Sequence, residues 1–136
     1  MIIDSIKKWF VLAVPTPTDK NRAVQLGCHF EEVTEMQDAI GFPGTDTYSL
    51  ANFLKNNSLG LASNAIDRTE LLDSLADQIV TAIGVAHMFG LDISGALAEV
   101  DRSNWSKFVD GVPQFDANGK IAKPATYSPP DLSRFV

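Results

Sequence analysis

The chain has 136 residues, 45% apolar and 21% charged, a balance that suits one globular domain able to bury a core of its own. Its net charge of −6 and pI near 4.7 leave no basic surplus to displace counterions, which excludes a nucleic-acid polymer as the expected partner. No stretch approaches the roughly 20 apolar residues of a membrane span, and MIIDSIKKWF has no long apolar run behind its basic residues, so neither a membrane partner nor a signal peptide is expected. The single cysteine, Cys28, allows no intrachain disulfide and suits a reducing cytoplasm.

In chain order, Asp4 can cap a short helix through about Ala13, which Val14-Pro15-Thr16-Pro17 breaks. Thr18 or Asp19 can cap a second helix to about Ile40, stopped by Gly41, with Ala23, Leu26, Phe30, Val33 and Ala39 as its apolar stripe. Residues 41–66 are rich in Gly, Asn and Ser. A short helix is expected from Tyr48 to Lys55 and loop elsewhere. Asp67 or Thr69 starts a long helix to Phe89, stopped by Gly90 and apolar on nearly every side, the pattern of a helix central to a bundle or at a subunit interface. Asp92 or Ser94 caps a last helix through about Lys107, with Ile93, Leu97 and Val100 facing inward. Beyond it, Asn118-Gly119 within Gln114–Ile121 signals a tight turn in a small β-ribbon, and Pro130 can open a final helical turn. The expected fold is all-α: a bundle of about four to five helices over residues 1–107, then an irregular extension with a small β-ribbon over 108–136, in a single domain.

Two acidic clusters stand out. Glu31, Glu32 and Glu35 lie on the second helix, where spacings of three and four share a face. Glu70, Asp73 and Asp77 form a stripe about 10 Å long on the fourth. Acidic side chains on amphipathic helices are most often a solvated face. Two such clusters bordering apolar residues, however, repel each other and resist desolvation unless a cation joins them, and a hard divalent metal is the economical answer. Such ions would bridge phosphate oxygens, and a carboxylate not consumed as a ligand could take the proton of an attacking water. Glu31 is the candidate for that catalytic role, since it adjoins Glu32 but lies off the Glu32–Glu35 line. The plain alternative is an exposed side chain. Di-iron chemistry is disfavoured because no His lies three residues after a Glu, and zinc because Cys28 and His29 point about 100° apart on a helix.

The segment Arg102-Ser103-Asn104-Trp105-Ser106-Lys107-Phe108 joins cations, hydroxyls, an amide and aromatics, and Lys120 and Lys123 follow on the ribbon. Lysines and arginines hold phosphate oxygens, and an amide orients them. A cation at a helix C-terminus also needs no ligand to be favourable there. Trp9, Trp105 and Tyr127 could stack on a base, although such rings are more often packing.

Taken in order, Glu-Glu-x-x-Glu on one helix, an acidic stretch ending Leu-Ala-Asp on another, and Gly84-Val85-Ala86-His87-Met88-Phe89-Gly90 resemble the all-α nucleoside triphosphate pyrophosphohydrolases, the MazG-like group. The tail Ser103–Phe108, Asp116–Pro124 and Pro129-Pro130-Asp131-Leu132 is similar to that of small, often phage-encoded members. The resemblance implies Mg²⁺-dependent hydrolysis, with Mn²⁺ as a substitute, of a nucleoside triphosphate to the monophosphate and pyrophosphate. It implies Glu32 and Glu35 as one metal-binding pair and Asp77 as the end of the other. Ser74 stands where the commonest pattern has Glu, so Asp73 is the implied substitute, with Glu70 a further possibility. Asn104 and Lys107 match positions expected to contact substrate, and Lys120, Lys123 and Trp105 complete the expected binding set. A homodimer or homotetramer is expected. Some phage members are similar to MazZ, which acts on dGTP, and a purine deoxynucleotide is the expected substrate. Alternatives are dUTP or phosphoribosyl-ATP on the same fold, or a non-enzymatic metal-binding helical interaction protein.

Overall fold

The computed structural model describes residues 1–42, 44–63, 66–117 and 120–136, with 61–63 described for the backbone only. Within them lie six helices: α1 (Ile2–Ala13), α2 (Asp19–Ala39), α3 (Thr45–Lys55), α4 (Ser58–Ser63), α5 (Arg68–Met88) and α6 (Ile93–Trp105). Two short strands follow, β1 (Phe108–Val109) and β2 (Val112–Pro113), then a 3₁₀ turn at Ser133–Phe135. The fold is therefore all-α with a small β element near its C-terminus. The chain forms two compact units, one of residues 16–66 and one of residues 1–15 with 67–136.

The unit of residues 16–66 is built from α2, α3 and α4. Thr18 opens α2 through a reciprocal cap: its hydroxyl accepts from the Asn21 amide at 3.2 Å, while the Asn21 side chain accepts from the Thr18 amide at 2.9 Å. These bonds satisfy amides that the first turn leaves without helical partners. Gly41, at φ +78°, ends the helix in the left-handed region that glycine reaches without strain. Small residues form the seam between α2 and α3: Ala23 and Ala51 are fully buried, and Gly27 is buried beside them. A Cβ on Gly27 would stand 2.6 Å from the Ala51 carbonyl oxygen, so the two backbones approach as closely as glycine permits. The loop expected after α3 instead contains α4, whose start is marked by the Gly60 amide donating to the Asn57 side chain at 3.2 Å.

In the other unit, α1 packs on α6. The Trp9 indole N–H donates to the Asn104 carbonyl at 2.9 Å, and the Trp105 N–H donates to Ser5 Oγ at 2.9 Å. Ser5 in turn donates to Asp101 Oδ2 at 2.7 Å. Buried Phe108 takes Trp9 at 5.5 Å and Trp105 edge-on at 5.3 Å between ring centroids. The helix begins at Ile2, so Asp4 sits in its first turn and does not cap it. Asp67 caps α5 by accepting from the Thr69 and Glu70 amides. Asp92 caps α6 by accepting from the Gly95 amide at 3.0 Å. The residues that α6 buries are polar (Glu99, Asp101 and Ser103), while Ile93, Leu97 and Val100 are only half-buried. The long helix α5 buries Ala86 alone; Leu72 is 69% exposed, Val80 64% and Met88 81%. Within its own unit, the described elements leave those faces of α5 largely exposed.

The β element has two parts. Residues Phe108 and Val109 pair antiparallel with Pro113 and Val112. The turn between them, Asp110-Gly111, has φ +51° and +77°, the pair of positive values a tight hairpin of this twist requires. The ribbon expected over 114–121 is present as a bridge between Phe115 and Ile121. Its Asn118-Gly119 turn lies outside the described residues. The final helical turn begins at Ser133, three residues after Pro130, because Asp131 accepts from both the amide and the hydroxyl of Ser133.

Candidate functional site

On α2, Glu31 is about one third exposed and paired with Lys55 of α3, an ion pair that ties the two helices together. Glu32 and Glu35 are exposed on the same helix, three residues apart. Beside them, Thr34, Asp38, Gly44, Thr45, Tyr48 and Ser49 line an open recess of about 420 Å³ between α2 and α3. On α5, Asp73 and Asp77 are exposed at a spacing of four, with Glu70 a turn before Asp73. The Glu32–Glu35 pair and the Asp73–Asp77 pair therefore belong to different units. Among the described residues, no group of three His, Cys, Asp or Glu side chains gathers within either unit. All four carboxylates are hard oxygen donors open to water, and among the described residues no lysine or arginine is paired with Glu35, Asp73 or Asp77. That donor chemistry suits Mg²⁺, which keeps several waters and is usually bound through one or two carboxylates together with substrate phosphates.

The basic residues expected to bind substrate come together in part. Lys107 donates to the Asn104 side chain at 2.8 Å. Its ammonium lies 5.8 Å from the Tyr127 ring centroid, and that of Lys123 lies 5.2 Å from the same point. Lys120 is exposed on the ribbon, where its amide donates to the Asp116 carboxylate. The Trp105 ring packs on Phe108 with its N–H committed to Ser5, so it serves the contact between α1 and α6.

Sequence reasoning missed the anchor that holds the tail to α6. Glu99 is 9% exposed. It accepts from Arg102 Nε at 2.8 Å and Nη2 at 2.7 Å, and from the Asp131 amide at 3.0 Å. The Arg102 hydrogen bonds, then the Asp131 amide, lower the Glu99 pKa from 4.5 to about 2. The same pairing raises that of Arg102. Ser133 donates to Asp131 and lowers its pKa. The Glu99–Arg102 spacing of three was a readable signal; the partner 32 residues away was not. Because the folded pKa of Glu99 lies below its unfolded value, the anchor contributes fully above about pH 4.5 and fades as pH falls toward 2. Glu99→Gln is accordingly expected to flatten the pH dependence of unfolding between pH 5 and about 2.5. Urea midpoints across that range check this, and an unchanged slope in the variant would count against the anchor.

Comparison with protein families, with curated proteins and with solved structures finds no match. Among the described residues, no single helix is long and apolar enough to cross a membrane.

Proposed function

We propose that this chain is a Mg²⁺-dependent nucleoside triphosphate pyrophosphohydrolase of the MazG-like kind, acting in the cytoplasm on dGTP or another purine nucleotide. The observation that carries the reading is the two pairs of solvent-facing carboxylates, Glu32 with Glu35 and Asp73 with Asp77, each on one of the two 21-residue helices. The cations near Tyr127 support it from the other side, since an acidic protein that takes a polyphosphate needs positive groups at the point of contact. When bound, Mg²⁺ (or Mn²⁺ in its place) neutralises phosphate charge and acidifies a water. Glu32 with Glu35 in one unit, and Asp73 with Asp77 in the other, are assigned as ligands of such ions, with Glu70 in reserve. Glu31, held in place by Lys55, is assigned to take the proton of the attacking water. The water oxygen bonds to phosphorus, one phosphoanhydride bond breaks, and the monophosphate and pyrophosphate leave. Asn104, Lys107, Lys120 and Lys123 are assigned to hold the phosphates; Trp105, whose ring packs on Phe108 between α1 and α6, is left out of the binding set.

The exposed apolar residues of α5 favour self-association, as a homodimer or homotetramer. The same observation favours a second reading, a non-enzymatic helical interaction protein that binds metal. Incubation with each common ribo- and deoxynucleoside triphosphate, and with phosphoribosyl-ATP, in Mg²⁺ and in EDTA separates the readings. Release of pyrophosphate in Mg²⁺ alone is the expected result. Metal binding without turnover of any nucleotide would leave the second reading standing, and turnover undiminished by EDTA would remove the metal from the mechanism.

A further inference from the structure

The recess between α2 and α3 lies within one unit, and its volume of about 420 Å³ is that of a small-molecule site. Glu31, Thr34 and Asp38 follow one another on α2 at spacings of three and four, so the recess continues the seam that Glu31 and Lys55 tie. The hydroxyls on two of its walls have their protons committed. Thr34, 8% exposed, donates to the Phe30 carbonyl at 3.1 Å, and Ser49 donates to the Thr45 carbonyl at 3.0 Å. Each then has only lone pairs left to offer. The exposed Asp38 carboxylate adds two more acceptor oxygens, and among the described residues no lysine or arginine is paired with it. Behind Gly44, Gln37 Oε1 is buried with no hydrogen-bond partner among the described residues; a Cβ on Gly44 would stand 2.5 Å from it. A recess so rich in acceptors suits a ligand rich in donors. One edge differs. Helix α3 opens at Gly44 without a side-chain cap, and the first turn of a helix carries amides that take an acceptor. Tyr48, 54% exposed, offers a ring on which a base can stack.

The geometry points to this recess as a subsite for a guanine base, with Asp38 as the residue that determines specificity. The guanine edge carries two adjacent donors, N1–H and the N2 amine, beside the O6 acceptor. A carboxylate accepts from both donors at once, and the uncapped start of α3 suits O6. Adenine and cytosine present an unprotonated ring nitrogen at the matching position, which a carboxylate repels, and thymine offers one N–H between two carbonyls. A site built to accept two hydrogen bonds discriminates against bases that cannot donate both. Asp38 stands about 10 Å along α2 from Glu31, a span that a nucleoside bridges from base to phosphate. For binding of a nucleoside monophosphate the inference stands by itself; for selectivity in turnover it rests on the function proposed above.

The test titrates the full chain with dGMP, dIMP, dAMP, dCMP and dTMP in EDTA by calorimetry, beside steady-state assays with the matching triphosphates in Mg²⁺. Wild type is expected to bind dGMP at least about tenfold more tightly than dAMP, dCMP or dTMP, and about fivefold more tightly than dIMP, which lacks only the N2 amine. Asp38→Asn is expected to weaken dGMP about tenfold and to erase the preference over dAMP. Tyr48→Leu is expected to weaken dGMP about fivefold. Asp46→Asn makes the same charge change on α3 outside the recess and is expected to leave binding unchanged. Equal affinity for all five nucleotides, no binding of dGMP, or a preference that survives Asp38→Asn would overturn the subsite. Guanine-selective binding that Asp38→Asn abolishes, with no turnover of any triphosphate, would uphold the subsite and remove the enzymatic reading. Turnover whose base preference is indifferent to Asp38→Asn would uphold the enzyme and remove the subsite.

Discussion

If the chain has the proposed pyrophosphohydrolase activity, Glu35→Gln is expected to lower its Mg²⁺-dependent release of pyrophosphate at least about a hundredfold, with helical content unchanged. A metal-held phosphate draws several kcal/mol of charge stabilisation at the transition state, and each 1.4 kcal/mol lost is about tenfold in rate. An amide keeps the size of the side chain but offers one neutral oxygen in place of a charged pair. Glu35 is exposed on α2 and unpaired by any described lysine or arginine, so the substitution removes no packing and no ion pair that the fold needs. Asp77→Asn on α5 is expected to behave the same way, because its side chain is exposed as well. The paired experiment is informative because the two residues lie in different units. Large losses in both variants would keep both residues in the proposed metal set. Full activity in either variant, with the circular dichroism spectrum intact, would remove that residue from the metal set. Glu31→Gln is a different case. It also breaks the tie to Lys55, so its loss of activity has to be read against a measured loss of stability.

Local chemistry was legible in the sequence to the extent that it is local. Thr18, Asp67 and Asp92 cap the helices that their positions predict, because a short oxygen side chain satisfies amides two or three residues on wherever the chain goes next. Gly41 and Gly90 stop α2 and α5 because only glycine enters positive φ freely. Helix α4 is not legible: six residues rich in Ser and Gly carry no apolar period, and the Asn57 cap that starts it is indistinguishable from a turn residue. The hairpin at Asp110-Gly111 carries the same type of turn signal as Asn118-Gly119, but its two-residue strands show no alternation. Long-range ties are not readable either. Glu99 is an ordinary helical acid until Asp131 and Arg134 come back to it, and the shared ring of Lys107 and Lys123 depends on how the strap turns at Pro124. For the carboxylates, helical spacing gives each pair its common face, whereas a meeting of the two pairs depends on tertiary arrangement that no spacing encodes.

Gly27→Ala is expected to destabilise the unit of residues 16–66, against the direction that helix propensity dictates. In a solvated helix interior, replacing Gly with Ala stabilises by about 1 kcal/mol, since the glycine chain loses more freedom on folding. At position 27 the added methyl would meet the Lys55 side chain and stand 2.6 Å from the Ala51 carbonyl oxygen. The lysine stem can swing aside, although that strains its ion pair with Glu31. A backbone carbonyl inside α3 cannot move without carrying the helix with it. Overpacking of this kind costs about 1–3 kcal/mol, enough to outweigh the propensity gain. Gly84 supplies the control. It lies inside α5, and a methyl added there would meet no described atom within 4 Å, so Gly84→Ala is expected to stabilise by about 0.5–1 kcal/mol. Thermal unfolding followed by helical circular dichroism, with amide exchange in α2 and α3 to localise the change, reads both variants. Stabilisation by Gly27→Ala as large as that by Gly84→Ala would mean that α2 and α3 do not pack through Ala23, Gly27 and Ala51. The Glu31–Lys55 tie, which places the proposed base on that seam, would then lose its structural basis.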